Sequence, residues 1–98
     1  MGKPLHEIAD AVCDEKSFLE FVDALVADRI RAIEAEKQKP SSPYEPDAGG
    51  WENVSVDRFL EAAARWAEDT NVGLTLGLAA SNPWKRFAAF LYAGKIYE

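Results

Sequence analysis

Apolar residues recur at the three- and four-residue steps of an α-helix in four separate stretches of this chain, and the stretches are bounded by residues that start and stop helices. In the first, Leu5, Ile8 and Val12, with Ala9, fall on one side, and Pro4 suits a first turn where a missing N–H costs nothing. A short helix is expected near 4–12. Ser17 followed by Glu20 is a capping-box signature, so a second helix is expected from about Ser17 to Lys37. Its buried stripe reads Phe18, Phe21, Val22, Leu25, Val26, Ile30 and Ile33, with Glu20, Asp23, Asp28, Arg31 and Glu34 largely off it. A third helix is expected at 55–69, with Ser55 as cap, Asp57 in the first turn and Val54 stapled to Phe59. Phe59, Ala63, Trp66 and Ala67 share its inner face, and Ala62, Ala63 and Ala64 leave room for a neighbouring helix.

The fourth stretch begins at Asn82-Pro83, a cap followed by a first-position proline, and runs to about 96. Trp84, Phe87, Ala88 and Leu91 form its stripe, and Phe90, Tyr92 and Ala93 widen the apolar surface past half the circumference. A helix that apolar must be covered by the others. The expected fold class is therefore all-α, a single small domain over residues 1–98 with about four helices. Its core is expected to gather Phe18, Phe21, Val22, Leu25, Phe59, Trp66, Trp84, Phe87 and Leu91.

Two connections depart from helical patterning. Residues 38–50 hold three prolines and two glycines and are expected to form a long Pro-rich loop, mobile at its tip, between the second and third helices. Val72-Gly-Leu-Thr-Leu-Gly-Leu78 alternates like a strand, yet has no evident partner. Two readings stand: an apolar connector lying on the helices, or an edge that pairs with Trp51 to Val56 or with another molecule. Ile96 and Tyr97 are expected to dock the end of the chain onto the domain.

Composition narrows the function classes. Lys and Arg number 11 against 17 Asp and Glu, a net charge of −6, which opposes binding to nucleic acid or to anionic lipid. The single cysteine, Cys13, can neither pair internally nor complete a sulfur-rich metal site, and fits a reducing cytoplasm. No signal peptide and no membrane span are expected from the hydropathy pattern. The acidity is uneven: residues 40–82 carry seven acidic groups against two basic ones, whereas 83–98 carry one against three.

Several residues are shared with a known pattern: Ile8, Val12, Ser17-Phe18 and Phe21; Trp51-Glu-Asn; Phe59-Leu, Ala64 and Trp66; then Trp84, Phe87-Ala, Leu91, Ala93 and Lys95-Ile-Tyr-Glu98. Over most of its length the chain resembles a family of small, mostly helical bacterial proteins of unknown function. The resemblance implies a helical fold and a bacterial cytoplasmic setting, and it brings no catalytic residues. Gly94 stands where Ala is expected, which implies that the last helix ends or bends early.

The chemistry-bearing residues offer three readings. An acidic middle segment, Glu45 and Asp47 included, with Tyr44, Trp51, Glu52, Asp57 and Glu61 as its expected contacts, suits recognition of a basic protein partner, as in an immunity, inhibitor or adaptor protein, if Trp51 is exposed rather than core. His6, Asp10 and Asp14 share one helical face and define an alternative, a small enzyme or metal-dependent sensor. That face exists only if the first helix continues through Asp14. The third reading is a structural homo-oligomer through residues 72–78. No cofactor-binding motif, phosphate loop or nucleophile elbow is present, so a binding protein is favoured over an enzyme.

Overall fold

A computed structural model describes residues 3–97. Four α-helices are present: α1 (Leu5–Asp10), α2 (Glu15–Gln38), α3 (Val56–Thr70) and α4 (Pro83–Ile96), with single 3₁₀ turns at Ala48–Gly50 and Leu74–Leu76. The protein is all-α, and no strand occurs among the described residues. Helix α4 is the hub, packing against α1, α2 and, most extensively, α3.

The helix starts show how local chemistry sets the boundaries. Asp14, not Ser17, caps α2: its carboxylate accepts from the Ser17 N–H at 2.8 Å while the Ser17 hydroxyl accepts from the Asp14 N–H at 3.1 Å. Ser17 thus fills the role that Glu20 was expected to play, and the helix begins earlier. The Ser17 hydroxyl also donates to the Asp14 carboxylate at 2.7 Å, and that bond, ahead of the one from the Ser17 amide, holds the Asp14 carboxyl below its usual range. At the start of α4, Asn82 accepts from the Lys85 N–H and Pro83 occupies the first turn, as its sequence demands. Ser55 stands at the N-cap of α3 but turns its hydroxyl to Asp57 rather than to a backbone amide.

The core centres on Phe21 and Val12, with Ala9, Leu25, Ala32, Trp51 and Ala88, and Phe18, Phe59, Trp84 and Leu91 pack against it. Two core expectations need correction. Phe87 is 48% exposed, meeting Phe18 and Trp84 with centroid separations of 6.3 and 6.2 Å at the domain rim. The seven-residue stripe on α2 divides: Phe21 and Leu25 face the domain, whereas Val26, Ile30 and Ile33 stand largely in solvent. At 24 residues α2 is the longest helix, about 36 Å, and no other element covers that second line.

Residues 72–78 form a turn. Asn71, Val72, Gly73 and Gly77 all have positive φ, a conformation incompatible with an extended edge. The turn is held from several sides: the Thr70 hydroxyl donates to the Trp66 carbonyl and accepts from the Gly73 N–H, and Arg86 Nε donates to the Val72 carbonyl at 2.9 Å. The edge-pairing reading of this segment, and strand-mediated oligomerisation through it, therefore lose their structural basis. Gly94 lies inside α4 and does not end it. A Cβ there would come within 2.8 Å of the Phe59 ring, so the absent side chain is what admits the aromatic ring.

Candidate binding site

The segment that follows the Pro-rich loop is fixed by a buried polar cluster. Trp51, only 4% exposed, donates its indole N–H to Asp28 on α2 at 2.9 Å, and the buried Lys95 ammonium on α4 donates to the same carboxylate oxygen at 2.8 Å. Lys95 and Arg29 also approach the Trp51 ring, at 5.4 and 5.2 Å from its centroid. Phe59 stacks on the ring at 6.1 Å. A buried cation against a single carboxylate is costly to desolvate, and here an aromatic face and a second donor share that environment. Beyond Trp51, the N–H groups of Glu52 and Asn53 donate to the Lys95 carbonyl, and Asn53 Nδ2 donates to the carbonyls of Gly94 and Tyr97. Two of the free carbonyls at the C-terminal end of α4, those of Gly94 and Lys95, are thus satisfied by the chain leaving Trp51.

The Pro-rich loop is closed at its base by Glu36. Its carboxylate accepts from the Ser41 N–H, the Ser41 hydroxyl and the Ala48 N–H, at 2.5, 2.9 and 3.0 Å. The Ser41 and Ala48 amides hold the Glu36 carboxyl below its usual range. Asp47 pairs with Arg29 at 3.8 Å, its N–H donates to the Trp51 carbonyl, and Glu45 accepts from the Ser42 N–H. Arg29 Nη1 is buried with no hydrogen-bond partner among the described residues.

Between the loop and residues 51–54 lies a recess of about 330 Å³ lined by Pro43, Tyr44, Glu45, Pro46, Asp47, Trp51, Glu52 and Val54. It brings together three of the five residues expected to recognise a partner. Tyr44 is 98% exposed at its rim. Trp51 serves as buried floor and anchor rather than as an exposed contact. Asp57 and Glu61 are exposed on α3 and are not part of the recess. Glu45 and Asp47, two further acids of the expected acidic segment, line it as well.

A larger hollow, about 440 Å³, opens where α1, α3 and α4 meet; Trp66, Leu76, Leu78 and Tyr92 line its apolar part, with His6 and Asp10 at one side. Its signal in the sequence was the small side chains Ala9, Ala89 and Ala93, which leave space where large ones would fill it. Several of its polar groups are engaged within the chain: Lys85 Nζ donates to the Asp10 carbonyl at 2.6 Å, Thr70 to the Trp66 carbonyl, and the Tyr97 hydroxyl to Asp69. That bond to Asp69 raises the Tyr97 phenol above its usual range.

His6, Asp10 and Asp14 do not form one face. Helix α1 stops at Asp10, and Asp14 caps α2. Among the described residues, no group of three His, Cys, Asp or Glu side chains is arranged to hold a metal ion, so the metal-sensor reading of this triad is overturned. Nor is any helix among them long and apolar enough to cross a membrane.

No curated protein and no solved structure matches the chain. A family model does: residues 14–98 match the family of unknown function DUF7660, a span that takes in the α2 cap, Trp51 with its Asp28 and Lys95 partners, and all of α4. With that extent of match the chain belongs to the DUF7660 family.

Proposed function

We propose that this protein acts by binding, and that the recess beside the Pro-rich loop receives a Lys or Arg side chain of a basic protein partner. The observation that carries the reading is the convergence of Tyr44, Glu45, Asp47 and Glu52 on one concave surface. Its floor is set by the Trp51–Asp28–Lys95 cluster and its rim by the loop that Glu36 closes. The aromatic face of Tyr44 suits a guanidinium or ammonium group, and the Glu45 and Glu52 carboxylates supply complementary charge, whereas Asp47 is paired with Arg29. Asp57, Glu61 and the overall charge of −6 add longer-range attraction for a cationic surface. An adaptor, inhibitor or immunity role needs no more chemistry than this.

The test is selection of peptides from a random displayed library on the immobilised full chain, followed by affinity measurement on a selected sequence. Enrichment of Arg or Lys is expected, with affinity falling as salt rises and at least about tenfold weaker binding by Tyr44→Ala and by the Glu45→Gln, Glu52→Gln pair. Selected peptides without basic residues, or affinities unmoved by either variant, would overturn the proposal.

A further inference from the structure

The exposed line on α2 has a symmetry of its own. Leu19, Val26, Ile30 and Ile33 are between 39 and 56% exposed, and Val22 is half-buried beside them. Taken from Val26, Val22 and Ile30 lie four residues to either side, and Leu19 and Ile33 lie seven to either side. At 3.6 residues per turn all five fall within about 40° of the line through Val26. The stripe is thus straight, and it reads alike in both directions.

Two pairs of the charges beside it follow the same centre with opposite sign, Glu34 and Lys37 being paired with each other at 3.6 Å within one copy; Asp23, on the flank of Lys16 and Glu34, has no such counterpart. Glu15 and Lys37 stand eleven residues before and after Val26. Lys16, ten residues before, and Glu34, eight after, lie on one shared flank of the stripe. If two α2 helices pack antiparallel about a two-fold axis at Val26, Glu15 meets Lys37 of the second copy. Lys16 meets Glu34 of the second copy with an offset of about 3 Å along the axis. Parallel pairing would instead set Glu15 on Glu15 and Lys16 on Lys16. The mixed charge along both edges also disfavours an anionic membrane as the surface that covers this stripe.

We propose that α2 is a self-association surface, and that its occupant is a second α2 packed antiparallel with Val26 at the two-fold axis. Five aliphatic side chains per copy on a single helix face form a small contact, so the dimer is a weak one, dissociating in the micromolar range. It uses a different face from the loop recess and stands or falls separately from it.

The test is sedimentation equilibrium of the full chain from about 1 to 500 µM, a range that brackets a dissociation constant of that order. A monomer–dimer transition is expected. Val26→Glu, which sets like charges on the axis, is expected to leave the chain monomeric throughout while its helical circular dichroism is retained. Glu15→Lys and Lys37→Glu are each expected to weaken the dimer severalfold, and the two together to restore it, because restoration requires the two positions to face one another between copies. This charge exchange keeps the test decisive even if Val26→Glu fails to fold. A monomeric mass across the whole range, a dimer indifferent to Val26→Glu, or a double exchange that fails to restore association would each overturn the proposal.

Discussion

The inner faces of α3 and α4 and the outer face of α2 invert the usual relation between side-chain size and burial. On α3 and α4 many of the most deeply buried positions belong to small residues, among them Ala62, Ala63, Ala88, Ala93 and Gly94, and these two helices share the most extensive interface in the fold. On α2 the branched side chains of Val26, Ile30 and Ile33 stand out in water. Apolar character therefore does not by itself select the core. What selects it is whether a second element can come close enough to exclude water, and small residues permit that approach. The large aromatic rings then fill the remaining space, as Phe59 does over Gly94.

The comparison is most severely tested at Lys95, where α4 places a cation inside the domain. Lys95→Ala leaves the partly buried Asp28 carboxylate with only the exposed Arg31 guanidinium, 3.8 Å away, as a cationic partner, and is expected to cost about 3 kcal/mol in urea unfolding. Joint replacement by Lys95→Met and Asp28→Asn is expected to recover most of that loss, since an uncharged pair has less to desolvate. A smaller effect is expected at Gly94. Gly94→Ala should destabilise by about 1 kcal/mol, because the clash with Phe59 outweighs the better helix propensity of alanine. The smallest is expected on α2, where Ile30→Ser, measured at a concentration too low for self-association, should change stability by no more than about 0.5 kcal/mol. If Ile30→Ser proves as damaging as Lys95→Ala, the outer face of α2 is covered within the monomer and the contrast fails.

These residues also mark how far the sequence can be read. The start of α4 was legible because Asn82 and Pro83 act locally, and all four helices followed from periodicity and end residues. The start of α2 shifted because Asp14 and Ser17 satisfy one another, a reciprocal bond that Asp can make as well as the expected Ser and Glu. Periodicity could show that α2 has apolar faces, but Phe21 and Val26 lie about 140° apart around one helix, and only the position of the other helices decides which is covered. The recess was half legible. Tyr44 and Glu52 stood out by type and charge, whereas the inward turn of Trp51 depends on Asp28 and Lys95, 23 residues before it and 44 after it. Lys95 itself had looked like one charge of a mildly basic tail.

The contacts that α4 makes have a kinetic consequence. All-helical domains often fold fast because their contacts are local in sequence, yet here the tie from Lys95 reaches back 67 residues to Asp28 and that from Lys85 reaches back 75 to Asp10. Helices α1 and α2 are sequence neighbours that can meet early, but the inner face of α2 acquires its full cover only when α4 arrives. Loop closure over that distance comes before the reward of burial, so docking of α4 is expected to set the folding barrier. Until it docks, the aromatic face of α4 is the surface most open to a wrong partner.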